Sequence, residues 1–371
     1  MPTTTPVEPL AVFDRSDDLA TAGHEQVVFC RDDRSGLRAI IAIHSTALGP
    51  ALGGTRFKAY PHESAALVDV LRLSQGMTFK AALAGLPLGG GKAVIIGDPD
   101  TQKTPELLAA YGGFVDRLAG HYVTAADIGT TDADLDVVGT RTRHVTGRTR
   151  AGGGSGDSGR STATGVFESM RAAAELVWGD DGLRGRRVGV EGVGKVGRHL
   201  VDLLLVAGAR VAVSDASPAA LARLRAELAA GPAADRAARR AADDVVEVLP
   251  SVIDAEVDVY APCALGATLD VDTVDRLRAR VVCGAANNQL ASAEVDELLA
   301  ARGIVWVPDY AANSGGLIQV GGELLGWSSA EVDRRVQAVG STVRGILTTA
   351  AATLLPTGRV ADEQARARLA R

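Results

Sequence analysis

The chain has 371 residues, of which 46% are hydrophobic and 23% charged, and a formal net charge of −6. This is the composition of a globular protein of about two domains. With no basic block (the arginines from Arg236 to Arg240 sit among alanines and run into Asp243 and Asp244), it excludes a nucleic-acid partner.

The three cysteines, Cys30, Cys263 and Cys283, are far apart and odd in number. They form no disulfide framework and suit a reducing cytoplasm. The histidines are scattered without metal-ligand spacing, so no metal is expected. The opening Met1-Pro-Thr-Thr-Thr-Pro6 lacks the basic and apolar regions of a signal peptide. No apolar run is long enough to span a bilayer.

In chain order, apolar runs predict strands at 27–30, 37–44, 93–96 and 122–125. Helical spacing predicts helices at 64–83 and 105–118, the second with Pro105 in its first turn. Strands and helices thus alternate through the first 145 residues, the pattern of an α/β layer. Within this region Leu86-Pro-Leu-Gly-Gly-Gly-Lys92 reads as a compact glycine loop that sets Lys92 where it meets the sheet. It is not a nucleotide P-loop, which would need glycine at Leu86 and Ser or Thr at Ala93. Lysine occurs only at 58, 80, 92, 103 and 195, and every other basic side chain except histidine is arginine. Lysine can lose its proton in a desolvated or cationic setting and arginine cannot, which singles out Lys92 and the upstream Lys80.

Residues 148–160 are rich in Gly and Ser and read as a hinge or linker. Beyond it a helix is predicted at 161–177, then a strand at 187–191, a helix at 194–207, a strand at 210–214 and a helix at 218–229. Further strands follow at 257–260, 280–283 and 304–307. This is βαβ alternation with a parallel sheet. The Ala- and Arg-rich stretch 219–242 reads as a solvated helix pair, and 330–351 has helical spacing.

Gly192-Val-Gly-Lys-Val-Gly197 follows an apolar strand and opens an apolar helix, the context of the dinucleotide fingerprint. Gly192 makes the turn, Gly194 admits the pyrophosphate and Gly197 lets helix and strand pack closely, with the helix N-terminus facing the phosphates. The next strand ends at Asp215, where a carboxylate accepts ribose hydroxyls and repels a 2′-phosphate, so NAD is expected over NADP. Asp215 also suits a helix cap, a role compatible with the first. Lys195 faces phosphate or solvent.

Together these residues resemble the glutamate, leucine, phenylalanine and valine dehydrogenase family, across roughly residues 27 to 327 and closest to its valine-acting branch. The stretches that carry the resemblance are Leu48 to Arg56, the lysine motifs Gly76-Met-Thr-Phe-Lys80 and Leu86 to Lys92, Thr124-Ala-Ala-Asp-Ile-Gly-Thr-Thr131, and Gly192 to Gly197. Downstream they are Tyr260 to Gly266, Cys283-Gly-Ala-Ala-Asn-Asn-Gln-Leu290 and Asn313 to Leu317. The chain departs from the common pattern at Ser158-Gly-Arg-Ser161, where Ser-Pro is usual, at Ser314, where Ala is usual, and at Leu317, where Val is usual.

The resemblance implies an N-terminal α/β substrate domain, residues 1–148, and a Rossmann NAD-binding domain, residues 149–327, separated by a cleft. Helices in 328–371 would pack back on the first domain. It implies that Lys80 pairs with the substrate carboxylate beside the Gly53-Gly54 backbone. Lys92 is the catalytic lysine, and Asp127 handles the amino group and its proton. Asn288 contacts substrate or nicotinamide, and Thr162 holds the carboxamide. Leu52, Ala125, Leu317 and Val320 line the side-chain pocket. Gly192, Gly194, Lys195, Val196, Gly197 and Asp215 hold NAD. The chemistry agrees: near Lys80, Lys92 would be pulled below the ordinary lysine value of about 10.4 and could deprotonate water. Asp127 would relay the ammonium proton; its alternative is to cap a helix beginning near Thr131. The expected activity is reversible, NAD-dependent oxidative deamination of a branched-chain L-amino acid, L-valine foremost, in a cytoplasmic homo-oligomer. Leucine or phenylalanine preference, and a catalytically silent NAD-binding sensor, are the alternatives. A glutamate enzyme would need a polar or cationic pocket group.

Overall fold

The computed structural model describes residues 23–230 and 246–370. The chain divides into two units, one comprising residues through Thr78 with Gly89–Val145, the other Phe79–Leu88 with Thr146 onward.

The first unit is built on strands β1 (Gln26–Asp32), β2 (Leu37–Ser45), β3 (Ala51–Lys58), β4 (Gly89–Ile96) and β5 (Tyr122–Ala126), in the spatial order β1-β2-β4-β3-β5. The β1–β2 and β2–β4 pairs are antiparallel; β3 runs parallel to both β4 and β5. Helix α1 (Glu63–Leu83) lays Ala66 and Val70 on Ile40, Ala42 and Val94 of one sheet face. Helix α2 (Pro105–Arg117) covers the other face with Leu107, Leu108, Tyr111 and Val115, against Ile41, Ile43, Ala93 and Ile95. Thr104 starts α2 by accepting from the Leu107 N–H, with Pro105 in the first turn.

Two expectations change here. Residues 51–58 were not predicted as a strand, because Gly53 and Gly54 lower β-propensity. They nonetheless form β3, between β4 and β5. Gly89, Gly90 and Gly91 are not a loop before the sheet but the first residues of β4. Their need for glycine comes from neighbouring protein: a Cβ on Gly89 would lie 2.0 Å from the Ser45 carbonyl oxygen, on Gly90 2.0 Å from the Thr78 nitrogen, and on Gly91 2.8 Å from the Tyr122 ring.

The second unit carries β6 (Arg187–Glu191), β7 (Arg210–Ser214), β8 (Val246–Val248), β9 (Val259–Pro262), β10 (Val281–Val282) and β11 (Val305–Trp306). All are parallel, in the order β11-β10-β9-β6-β7-β8. Numbered from the first strand of this unit, the order is 6-5-4-1-2-3, that of the doubly wound dinucleotide fold, whose switch point lies between β6 and β9. Helices α4 (Gly159–Trp178), α5 (Gly197–Val206) and α6 (Pro218–Ala230) accompany it. The α/β fold with a Rossmann-type second unit is therefore as expected.

The predicted helix pair at 219–242 is seen as α6; its remainder lies outside the described residues. The helical stretch 330–351 is two helices, Ser329–Gln337 and Val339–Thr353, meeting at Ala338. In these C-terminal helices Arg344 pairs with Glu175 of α4. In the helix Thr357–Leu369, Arg366 stacks over Phe79 and Arg368 donates to the Leu86 carbonyl. The Gly/Ser-rich segment is strapped to the helix Gly315–Leu324. Glu323 accepts from the Gly147 and Ser155 N–H groups, and Gln319 bonds Ser155 and Ser161. Among the described residues no single helix is long and apolar enough to cross a membrane.

Candidate active site

Strand register decides which side chains of the first unit share a face. Lys92 pairs with Ala42, Leu52 with Gly90, Arg56 with Val94 and Gly54 with Ala125. Alternation then puts Leu52, Gly54, Arg56, Lys92 and Ala125 on the α1 side of the sheet. Asp127, just past β5, joins them: its Oδ2 is 2.5 Å from Lys92 Nζ and 3.3 Å from Arg56 Nε. Arg56 also reaches Asp69 of α1 at 2.8 Å, and Tyr60 donates to the same carboxylate oxygen. The Lys92 and Asp127 side chains are only 8% and 15% exposed. Burial opposes ionisation of Asp127, but Lys92 and Arg56 outweigh it, so its carboxyl lies below the ordinary value. It is an anion at neutral pH, held between Lys92 and Arg56.

The glycines beside this cluster are compulsory. A Cβ on Gly53 would sit 1.7 Å from the Gly91 carbonyl oxygen; on Gly54, 2.6 Å from that of Ala126 and 2.9 Å from Asp127 Cβ. On the opposite face Thr55, Tyr111 and Thr124 form a closed hydroxyl network, and Tyr122 donates to the Gly53 carbonyl. Asp127 is not a helix cap: Thr131 starts the helix α3 (Asp132–Val138) in a capping box with Asp134. Within its own unit, the neighbour found beside Lys92 is the carboxylate of Asp127. Arg56, quoted in the sequence motif but given no role, is the residue that reasoning missed. Its place two residues beyond Gly54 puts it on the same face only once 51–58 is known to be a strand.

Lys80 groups with the second unit. Its Nζ donates to Asn287 Oδ1 at 3.2 Å, and Asn313 Nδ2 donates to the same oxygen at 2.8 Å. Of the Asn287-Asn288 pair it is thus Asn287 whose side chain meets Lys80. Asn288 occupies a left-handed conformation, φ 54°. Leu317 is buried on the helix Gly315–Leu324; Val320 on the same helix is half-buried. Thr162, half-buried in the first turn of α4, donates to the Ser158 carbonyl and crowds Gly316, whose added Cβ would lie 2.6 Å from its hydroxyl.

The fingerprint loop follows β6. Gly192 has φ 90°, and a Cβ on Gly197 would fall 1.9 Å from the Gly192 carbonyl oxygen. Gly194 differs: its Cβ would meet nothing within 4 Å, leaving open space over the backbone. Asp215 Oδ2 accepts from the Val193 N–H at 2.8 Å, and Oδ1 from the Ser217 N–H at 2.8 Å. The carboxylate therefore braces the loop from the end of β7 and still has lone pairs for a sugar hydroxyl. Lys195 is 61% exposed and pairs with Asp157. Val196 precedes α5 and its N-terminal dipole. The open ground over Gly194 and the Asp215 carboxylate fit a dinucleotide. Among the described residues no cluster of three or more His, Cys, Asp or Glu could hold a metal ion.

A parallel sheet in dinucleotide order with this fingerprint, in a chain that also carries a buried Lys–Asp–Arg cluster on a mixed sheet, defines a nicotinamide-dinucleotide-dependent dehydrogenase. Comparison with known proteins narrows the class. Residues 24–144 match the Glu/Leu/Phe/Val dehydrogenase dimerisation domain, and residues 153–354 match the Glutamate/Leucine/Phenylalanine/Valine dehydrogenase domain. The chain is 50% identical over 347 residues to the valine dehydrogenase of Streptomyces virginiae, covering 94% of each. It is 42% identical over 348 residues to the leucine dehydrogenase of Bacillus subtilis, covering 94% of this chain and 92% of the other. The crystal structure of L-tryptophan dehydrogenase from Nostoc punctiforme superposes with a TM-score of 0.76 at 37% identity, covering 94% of this chain and 96% of the other. The chain belongs to the Glu/Leu/Phe/Val dehydrogenase family. It is an amino-acid dehydrogenase, acting on CH–NH2 donors by reversible oxidative deamination with a nicotinamide dinucleotide.

Proposed function

We propose that the substrate is a branched aliphatic L-amino acid, L-valine foremost, and that the cofactor is NAD. The observation that carries the reading is the buried Lys92–Asp127 contact of 2.5 Å. It supplies, at one place, an amine and a carboxylate able to exchange a proton. Asp127 takes the proton of the substrate ammonium and passes it on. A dinucleotide held at Gly192 to Gly197 and Asp215 would supply the acceptor for the hydride of the substrate Cα. Lys92, once it has given its own proton to solvent, takes one from the water that attacks the substrate iminium and returns it to the amino nitrogen while Asp127 takes the hydroxyl proton, and ammonia leaves to give the 2-oxo acid. Arg56 keeps Asp127 ionised between turnovers. Lys80 pairs with the substrate carboxylate, supported by the Gly53-Gly54 backbone.

Leu52 and Ala125, buried on the Lys92 face, are apolar. So are Leu317 and Val320. A charged substrate side chain against any of them would be desolvated without a partner, at several kcal/mol. The carboxylate of Asp215 favours NAD over NADP, and Gly192 to Gly197 with Lys195 would hold the phosphates. Thr162 and Asn288 serve the nicotinamide end. The match to a dimerisation-domain family supports a homo-oligomer, and the free cysteines Cys30, Cys263 and Cys283 support a reducing, cytoplasmic setting.

The test is NADH formation across the L-amino acids. The expected order of kcat/KM puts valine first and leucine near it. Glutamate should lie about a thousandfold lower, several kcal/mol being a thousandfold or more. Glutamate preference would overturn the reading of the pocket; phenylalanine preference would overturn only its size.

A further inference from the structure

Asp309 belongs to none of the roles above, yet it is 6% exposed and starts the one-turn helix Asp309–Ala312. Its Oδ2 accepts the Asn288 N–H at 2.7 Å. That N–H belongs to a residue at φ 54°, a left-handed conformation that Asn tolerates better than most side-chain-bearing residues and that the hydrogen bond to Asp309 helps to hold. The turn is clamped on its other side too: the Asn288 carbonyl accepts from the Ala267 N–H at 2.6 Å, and Gly266 leaves no room for a Cβ, which would lie 2.4 Å from the Asn287 carbonyl oxygen.

The clamped turn delivers the Asn287 side chain. Its Oδ1 receives Lys80 Nζ and Asn313 Nδ2. Asn313 ends the same one-turn helix that Asp309 begins, its N–H donating to the Asp309 carbonyl at 2.8 Å. One short helix therefore grips the turn twice, by backbone through Asp309 and by side chain through Asn313. Burial pushes the Asp309 carboxyl up to about 6, against the opposing pull of the Asn288 N–H and Lys80.

We infer that Asp309 is a positioning residue for substrate binding: its carboxylate fixes the left-handed Asn288 turn, which aims Asn287 at Lys80 and so sets where the Lys80 ammonium stands. This rests on the reading that Lys80 binds the substrate carboxylate. Asp309 itself touches neither substrate nor cofactor in this scheme, so its loss should move KM and leave kcat nearly alone.

The experiment is a double-mutant cycle on the full-length enzyme with L-valine, comparing Asp309→Ala, Asp309→Asn, Asn287→Ala and Asp309→Ala with Asn287→Ala. Asp309→Ala should raise KM about tenfold, the usual consequence of losing a hydrogen bond to a charged group, with a much smaller change in kcat. Asp309→Asn keeps an acceptor for the Asn288 N–H and should recover most of the loss. The double variant should be no worse than Asn287→Ala alone, because Asp309 acts through Asn287. Additive losses, or an unchanged KM in Asp309→Ala, would overturn the inference. If Asp309→Ala does not fold, Asp309→Ser, too short to reach the Asn288 N–H, takes its place with the same expectations. Lys80→Met is measured alongside. An unchanged KM there would sink the role of Lys80 itself, whereas a raised KM there with additive Asp309 and Asn287 effects sinks only the positioning role.

Discussion

The two units use glycine for opposite purposes. In the first, Gly53, Gly54 and Gly89 to Gly91 are pressed against other protein: each would drive a Cβ into backbone or ring atoms. Their smallness lets β3, β4, β5 and α1 come close enough to seat Lys92, Asp127 and Arg56 together. In the second, Gly192 and Gly197 serve the tight turn, but Gly194 opens onto empty space. There smallness admits a ligand. A glycine-rich motif thus means side-chain chemistry enclosed by close packing in one unit and bare backbone offered to a partner in the other. The charges follow suit, with Lys92 nearly buried and Lys195 mostly exposed.

The largest expected effect breaks the first half of this comparison. Lys92→Arg keeps a cation for Asp127 but cannot act as a base at neutral pH. Turnover should fall by a factor of about 10²–10⁴, the usual worth of general base catalysis, while the fold and NADH binding persist. The measurement is kcat from NADH absorbance, with thermal unfolding as a control. Near-normal turnover would remove Lys92 from the chemistry. Asp127→Asn should show a comparable loss of kcat, since the amide cannot carry the ammonium proton.

The glycines themselves give the next effect. Gly53→Ala places a methyl 1.7 Å from the Gly91 carbonyl oxygen, which cannot move without parting β3 from β4. A loss of about 1–3 kcal/mol or more is expected, visible as a lower Tm before any ligand is added. Gly194→Ala should leave the apo Tm unchanged, since its Cβ meets nothing within 4 Å, and should weaken NADH binding as followed by fluorescence. If both variants lost stability equally, the distinction drawn between the two loops would be wrong.

Asp215→Ser sharpens the second half. It removes both repulsion of a 2′-phosphate and a ribose acceptor, so the preference for NAD over NADP should narrow by about tenfold, the scale of one charged hydrogen bond. The Val193 N–H also loses its acceptor, so KM for NAD should rise even as KM for NADP falls. Wild-type enzyme using both cofactors equally would refute the role of Asp215.

What the sequence disclosed follows from the same physics. Apolar runs such as 37–44 and 187–191 mark β2 and β6 to within a residue because β-branched side chains report burial on the sheet. β3 stayed hidden because its middle is Gly53-Gly54, and β8 because it is a three-residue, partly exposed strand. Lysine scarcity pointed to Lys80 and Lys92, but no local pattern could reveal that Arg56 shares Asp127 with Lys92. That depends on β3 and β5 pairing across residues far apart in sequence. The same holds for Asn287 over Asn288: adjacent identical residues are told apart only by φ and by Asp309. The single helical stretch read at 330–351 turned out to break at Ala338, a residue with no breaking signal of its own.

The last expected effect, on stability alone, compares carboxylates rather than glycines. Asp127 is held below its ordinary value, with burial outweighed by Lys92 and Arg56. Its stabilisation is in place above the unfolded value of about 4 and is lost only as pH falls through the lower, folded value. Asp296 in the second unit behaves oppositely. It accepts the Gly358 N–H at the start of the helix Thr357–Leu369 at 2.9 Å, but burial exceeds that help and pushes its carboxyl up to about 6. The folded state therefore favours its neutral form. That advantage is full below about pH 4 and is lost as pH rises through about 6, about 3 kcal/mol for a shift of about two units. Asp296→Asn keeps an acceptor for Gly358 and removes the titration. Thermal unfolding of wild type at pH 4.5, 6 and 7.5 should show Tm lowered on going up this range by the Asp296 contribution, a few degrees for units of this size. The variant should lack that contribution, so the Tm difference between the two proteins must itself change with pH, moving in the variant's favour as pH rises. A difference that stayed constant from pH 4.5 to 7.5 would mean that Asp296 does not titrate there, and the contrast between the carboxylates of the two units would rest on Asp127 alone.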